Sequence, residues 1–140
     1  KVVDQLIAEL ELDGSDSIIE RGGREGLVGL RTRPDPRPFP WRAPDGVVDH
    51  FDIAFPAEWV CIFCDSRRWH GHGRAFSSDR RMWNSVSGHW RPFWLDAAIL
   101  RDGMAAFAAA VDEALAAADL TREPARREPC RCSHCLRRTV

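Results

Sequence analysis

Val47-Val48-Asp49-His50-Phe51-Asp52-Ile53-Ala54-Phe55, followed by Pro56-Ala57-Glu58 and then Trp59-Val60-Cys61-Ile62-Phe63-Cys64, is the stretch on which the fold turns. In the first run Phe51, Ile53 and Phe55 alternate with His50, Asp52 and Ala54, the period of a strand with one buried face. Asp45-Gly46 marks a turn ahead of it, and Pro56-Ala57-Glu58 reverses the chain behind it. The second run then returns as a partner strand and delivers Cys61 and Cys64 at its end. A strand end of this kind is a common setting for a zinc-binding turn.

Upstream, Pro34, Pro36, Pro38 and Pro40 alternate with other residues. That spacing blocks helix and central strand and predicts an extended strap over 34–41, either a stiff spacer or a surface segment. The segments 17–21 and 27–33 are β-compatible and are joined by Gly22-Gly23-Arg24-Glu25-Gly26, which predicts a hairpin. Val3, Leu6, Ile7 and Leu10 fall on one face of a short helix that stops at Asp13-Gly14. Downstream, 65–94 lacks clean periodicity and reads as loop with short elements. From 102 or 103 to 120, Met104, Phe107, Val111 and Leu115 recur at helical spacing among many alanines, which predicts the main helix. The expected fold is α+β: a small antiparallel sheet with a long C-terminal helix, in one domain over 1–140.

With 140 residues, 44% of them hydrophobic and 29% charged, the chain is long enough for one core and too apolar for wholesale disorder. The most apolar segment, 104–120, carries Asp112, Glu113 and Asp119, so no membrane span is expected. An odd number of cysteines, with no signal peptide read in the chain, predicts reduced thiols and a cytoplasmic location.

The five cysteines are clumped as Cys61-x-x-Cys64 and as Cys130-x-Cys132-x-x-Cys135. A C-x-x-C pair lets two thiolates reach one ion from a tight turn, and two such pairs supply the four soft ligands that tetrahedral zinc takes. The favoured site is therefore Zn2+ on Cys61, Cys64, Cys132 and Cys135, an ion that ties the Cys- and Arg-rich tail over 121–140 back to the strand pair. The long separation between the pairs is tolerable, because loop-closure entropy grows only logarithmically with length. A local alternative uses Cys61, Cys64, His70 and His72, Cys130 or His134 can replace a tail ligand, and a third reading has no metal, with the cysteines packed as small buried residues.

Net charge is −1 but unevenly spread. The front of the chain is acidic, and arginine dominates 67–91 and 122–138. Trp69, Phe76, Trp83, Trp90, Phe93 and Trp94 are interleaved with those arginines. Arginine neutralises phosphate while exposed rings stack on bases, so the pattern predicts an anionic partner, nucleic acid or an acidic protein surface, met by Arg67, Arg68, Arg80 and Arg81. Trp90, Phe93 and Trp94, just ahead of the helix, are expected in the core.

Val48-Asp49-His50 followed by Cys61-Ile62-Phe63-Cys64-Asp65-Ser66-Arg67-Arg68 resembles the middle of HNH endonucleases, where Asp-His leads to C-x-x-C on a ββα-metal scaffold. The resemblance implies that His50 activates water beside a divalent ion bound partly by Asp49. In this chain the second cysteine pair follows the motif instead of preceding it. No G-x-S-x-G, phosphate-binding glycine loop or dinucleotide fingerprint is present. The leading expectation is a zinc-stabilised binding module, with an HNH-like nuclease and a non-enzymatic protein adaptor as alternatives.

Overall fold

The strand Val60–Asp65 is apolar on both faces, and the rest of the molecule is arranged around that fact. The computed structural model describes residues 16–65, 73–132 and 135. In chain order these form α1 (Asp16–Gly26), β1 (Phe39–Arg42), β2 (Val48–Phe51), β3 (Ile53–Phe55), β4 (Val60–Asp65), α2 (Gly73–Ser87), β5 (Arg91–Asp96), a π-helical turn (Ile99–Gly103) and α3 (Met104–Ala116). The helix expected over 2–12 lies outside the described residues.

The chain is mixed α/β with two small sheets and a C-terminal helix. β1 and β2 pair antiparallel, with Pro40 opposite His50, and β3–β4–β5 form a second sheet in that order. β3 and β4 are the expected antiparallel return, Ile53 opposite Ile62. β5, however, runs parallel to β4, Ile62 opposite Phe93, so the second sheet is mixed and not antiparallel throughout. A parallel neighbour needs a crossover, and α2, in a region read as loop, supplies it.

The run read as one strand is two. It breaks at Asp52, whose carboxylate accepts the Cys64 backbone N–H at 2.8 Å. Phe51 therefore packs in a different cluster from Ile53 and Phe55, although alternation alone places all three on one face. The first cluster lies between the three-stranded sheet and α1 with α3, and holds Ile19, Ile53, Phe55, Ile62, Leu95, Val111 and Leu115. The second lies between the opposite face of β3–β4 and the β1–β2 hairpin, and holds Phe39, Trp41, Phe51, Phe63, Val86 and Trp90. Trp90 is its hub, with ring centroids 4.7 Å from Phe51 and 5.0 Å from Trp59. Of the aromatics expected in the core, Trp90 is buried, Phe93 is half-buried, and Trp94 is exposed beside Trp83.

The segment predicted as a glycine-linked hairpin is the helix α1. Its glycines allow close approach and do not make a turn. A β-carbon on Gly23 would lie 2.5 Å from Leu95, and one on Gly26 would lie 2.4 Å from the Met104 methyl group. The helix can settle onto β5 and α3 only without those side chains. Glu20, fully buried, is met by Arg24 at 3.2 Å. Arg24 also donates to the carbonyls of Asp35 and Asp52, each at 2.8 Å, fixing the strap and the bend with one guanidinium. The strap is surface chain only in part, because Phe39 and Pro40 are buried in β1, where a two-stranded ribbon tolerates proline. The predicted main helix is present as α3, with Phe107, Val111 and Leu115 buried. No helix among the described residues is long and apolar enough to cross a membrane.

Candidate metal centre

On β2 the side chains alternate, so Asp49 and Phe51 point inward and His50 points out. After α3 the chain returns across the hairpin without regular structure, so its polar backbone needs partners, which the strands provide. The Ala125 N–H donates to the Pro56 carbonyl at 3.0 Å, and the Glu128 N–H to the Pro40 carbonyl at 2.8 Å. Arg127 donates to the Pro38 carbonyl at 2.9 Å and to Asp35 at 2.7 Å, while Arg42 holds Glu128 at 2.6 Å. Pro40 is the cross-strand neighbour of His50, so fastening Glu128 there carries Cys130 to the histidine.

His50 Nε2 lies 3.4 Å from Cys130 Sγ, and Cys130 Sγ lies 3.3 Å from Cys132 Sγ. The Cys135 backbone N–H donates to Cys132 Sγ at 3.4 Å, the inward turn expected of a C-x-x-C pair closing on an ion. Ligand atoms of His50, Cys130, Cys132 and Cys135 all fall within 4.8 Å of one another. Tetrahedral zinc, with bonds of about 2.3 Å to sulfur and about 2.0 Å to nitrogen, needs ligand edges of about 3.5 to 3.8 Å. The cluster is close to that size. Three cysteines and a histidine thus form a site able to hold a metal ion.

The burial of these groups is graded. Cys135 is 2% exposed, Cys130 is half-buried and Cys132 is exposed. Burial, followed by hydrogen bonding to Cys132 and Cys130, pushes the Cys135 thiol up to about 12. Without an ion it is a neutral thiol at neutral pH, and a metal must displace its proton. Comparison with protein-family models, with curated proteins and with solved structures finds no match.

The four-thiolate site expected on Cys61, Cys64, Cys132 and Cys135 is not assembled. Only its tail half, Cys132 and Cys135, belongs to the cluster; its other members are Cys130 and His50. Cys61 and Cys64 sit within a continuous strand, where residues three apart face opposite ways. Cys61 packs in the hairpin-side cluster and Cys64 in the helix-side cluster, 0% and 5% exposed. Burial, then the charge of Asp49, raises the Cys61 thiol well above its ordinary range. It is packed as a small apolar residue. His70, His72 and His134, the alternative ligands, lie outside the described residues.

The arginines predicted to meet an anion are also divided. Arg67 and Arg68 lie outside the described residues, and Arg80 is exposed on α2. Arg81 is engaged within the molecule, 2.8 Å from Asp49 and 2.8 Å from Asp45. Those contacts lower the Asp45 carboxyl to about 2, mainly through the Arg81 hydrogen bond, and raise the guanidinium further. Asp49, which the nuclease resemblance assigns to an ion, is 6% exposed and held by Arg81, while His50 faces the cysteines. Two tail arginines are structural as well: Arg122 donates to the His89 carbonyl and stacks 3.5 Å over Trp59, and Arg127 braces the strap.

A signal for this cluster was present in the sequence. Cys130-x-Cys132-x-x-Cys135 supplies three ligands within six residues and needs one more, and an outward histidine on a strand can provide it.

Proposed function

We propose that the protein is a zinc-stabilised binding module in which Zn2+, held by His50, Cys130, Cys132 and Cys135, closes the C-terminal segment onto the β1–β2 hairpin, and that its partner is anionic. The observation that carries the reading is the convergence of one imidazole and three thiols from segments 80 residues apart in the chain. Three sulfurs and one nitrogen suit a borderline-soft, tetrahedral ion, and a full set of four protein ligands leaves no open position for substrate. Structural zinc follows from that count, in a single domain whose free thiols fit a reducing cytoplasm.

The anionic partner, nucleic acid or an acidic protein surface, is supported by the arginines beside the cluster. Arg37, Arg127 and Arg131 line a groove of about 450 Å3 together with Cys130 and Cys135. Elemental analysis and native mass spectrometry of the purified chain test the metal: one zinc per chain is expected, and its loss in both His50→Ala and Cys132→Ser. A chain that takes up no zinc under reducing conditions overturns the reading. For the partner, affinity for an anionic polymer should fall steeply with salt as counterions are released.

A further inference from the structure

The groove beside the cluster has a particular charge balance. Arg127 is offset by Asp35 at 2.7 Å, and Glu128 by Arg42 at 2.6 Å. Among the described residues, neither Arg37 nor Arg131 has a carboxylate within ion-pair distance. A zinc ion with three thiolates and a neutral imidazole carries one negative charge, which one of these two arginines can offset. One positive charge then remains uncompensated, with two planar guanidinium forks on the rim of a single groove. Arginine recognises phosphate with paired N–H donors.

We propose that the groove lined by Arg37, Arg127 and Arg131 holds the phosphodiester backbone of a single-stranded nucleic acid, with Arg37 and Arg131 in contact with phosphate. The inference rests on the zinc-held reading, because Arg131 lies between two ligands, Cys130 and Cys132, and takes its position from the closed loop. Arg127 acts behind them as a positioning residue, its fork fixed by Pro38 and Asp35. No aromatic ring lines the groove, so binding reads charge and not base identity.

The test uses the full chain loaded with zinc, its stoichiometry verified first, and a fluorescent oligothymidylate of about eight nucleotides followed by anisotropy across a salt series. Each lost phosphate contact on a single strand reduces the log–log salt slope by about 0.7, so Arg37→Ala/Arg131→Ala should reduce it by about 1.4. Affinity at low salt should fall at least ten-fold while zinc content stays at the wild-type value. Arg37→Lys/Arg131→Lys, which keeps the charges, should recover most of the slope, and an oligonucleotide of another sequence should bind equally. An unchanged slope in the double alanine variant overturns the inference but leaves the binding module standing, with its anionic surface elsewhere. Equal competition by polyglutamate of the same net charge also overturns it, in favour of an acidic protein partner. A wild-type chain that carries zinc yet binds neither polymer removes both the inference and the anionic partner.

Discussion

Cys61-x-x-Cys64 and Cys132-x-x-Cys135 have the same spacing and opposite fates. The first lies in a strand buried on both faces, so its thiols are driven to opposite sides of the sheet and become packing. The second follows a segment over 122–131 that forms neither helix nor strand, and there the Cys135 N–H meets Cys132 Sγ. A C-x-x-C pair chelates only when the backbone between its cysteines turns. Ligand chemistry is set by the side chains, but convergence is set by backbone conformation.

The contrast is broken most directly by exchanging serine for the tail cysteines. Cys130→Ser/Cys132→Ser should abolish stoichiometric zinc, whereas Cys61→Ala/Cys64→Ala should keep one zinc per chain, read by native mass spectrometry. Zinc lost from the second variant while it remains folded would reverse the assignment.

Acid should act on the tail thiols next. A zinc ion held there must displace the Cys135 proton, from a thiol raised to about 12, so affinity should rise with pH at every pH below that value. That displaced proton costs about ten-fold per pH unit, so apparent affinity should fall by at least about ten-fold from pH 7 to pH 6. Competition titrations with a chromophoric chelator measure this, and a pH-independent affinity would show that the thiols are not the ligands.

Chelation sharpens the comparison, because the tail has two kinds of fastening. Ala125 and Glu128 are bonded to strand carbonyls without any ion, whereas Cys135 is bonded within the cluster. Hydrogen exchange after metal removal should rise at Cys135 by an order of magnitude or more, and change little at Ala125 and Glu128. Uniform loss of protection from 117 onward would mean that the ion alone holds the tail.

In the core, Cys61→Ala should cost about 1 kcal/mol of unfolding free energy by chemical denaturation, from lost packing around Phe63 and Trp90. The smallest effect belongs to Asp45, whose carboxyl is lowered from 3.8 to about 2 by Arg81. Its contribution is fully present above pH 4 and is lost as pH falls through about 2. Asp45→Asn should therefore remove part of the acid sensitivity of α2 docking, followed by Trp83 fluorescence.

Much of this was legible in the residues. The helix α3 was readable because Phe107, Val111 and Leu115 repeat at 3.6-residue spacing, a local property. The β3–β4 return was readable from its alternation and its turn. The helix α1 was not, because Gly22, Gly23 and Gly26 look like a turn until Leu100, Leu95 and Met104 are seen pressed against them. Arg81 looked like a phosphate ligand because its carboxylates, Asp45 and Asp49, are far away in the chain.

By itself, the sequence determined the chemistry: a run of three clustered thiols, an outward histidine in an alternating strand, and an excess of arginine toward the C-terminal half. Tertiary structure alone decided which of these meet. The reason is that strand pairing joins Pro40 to His50, and the bond from Glu128 to Pro40 then carries Cys130 across the hairpin, a sequence of backbone contacts that no local pattern encodes.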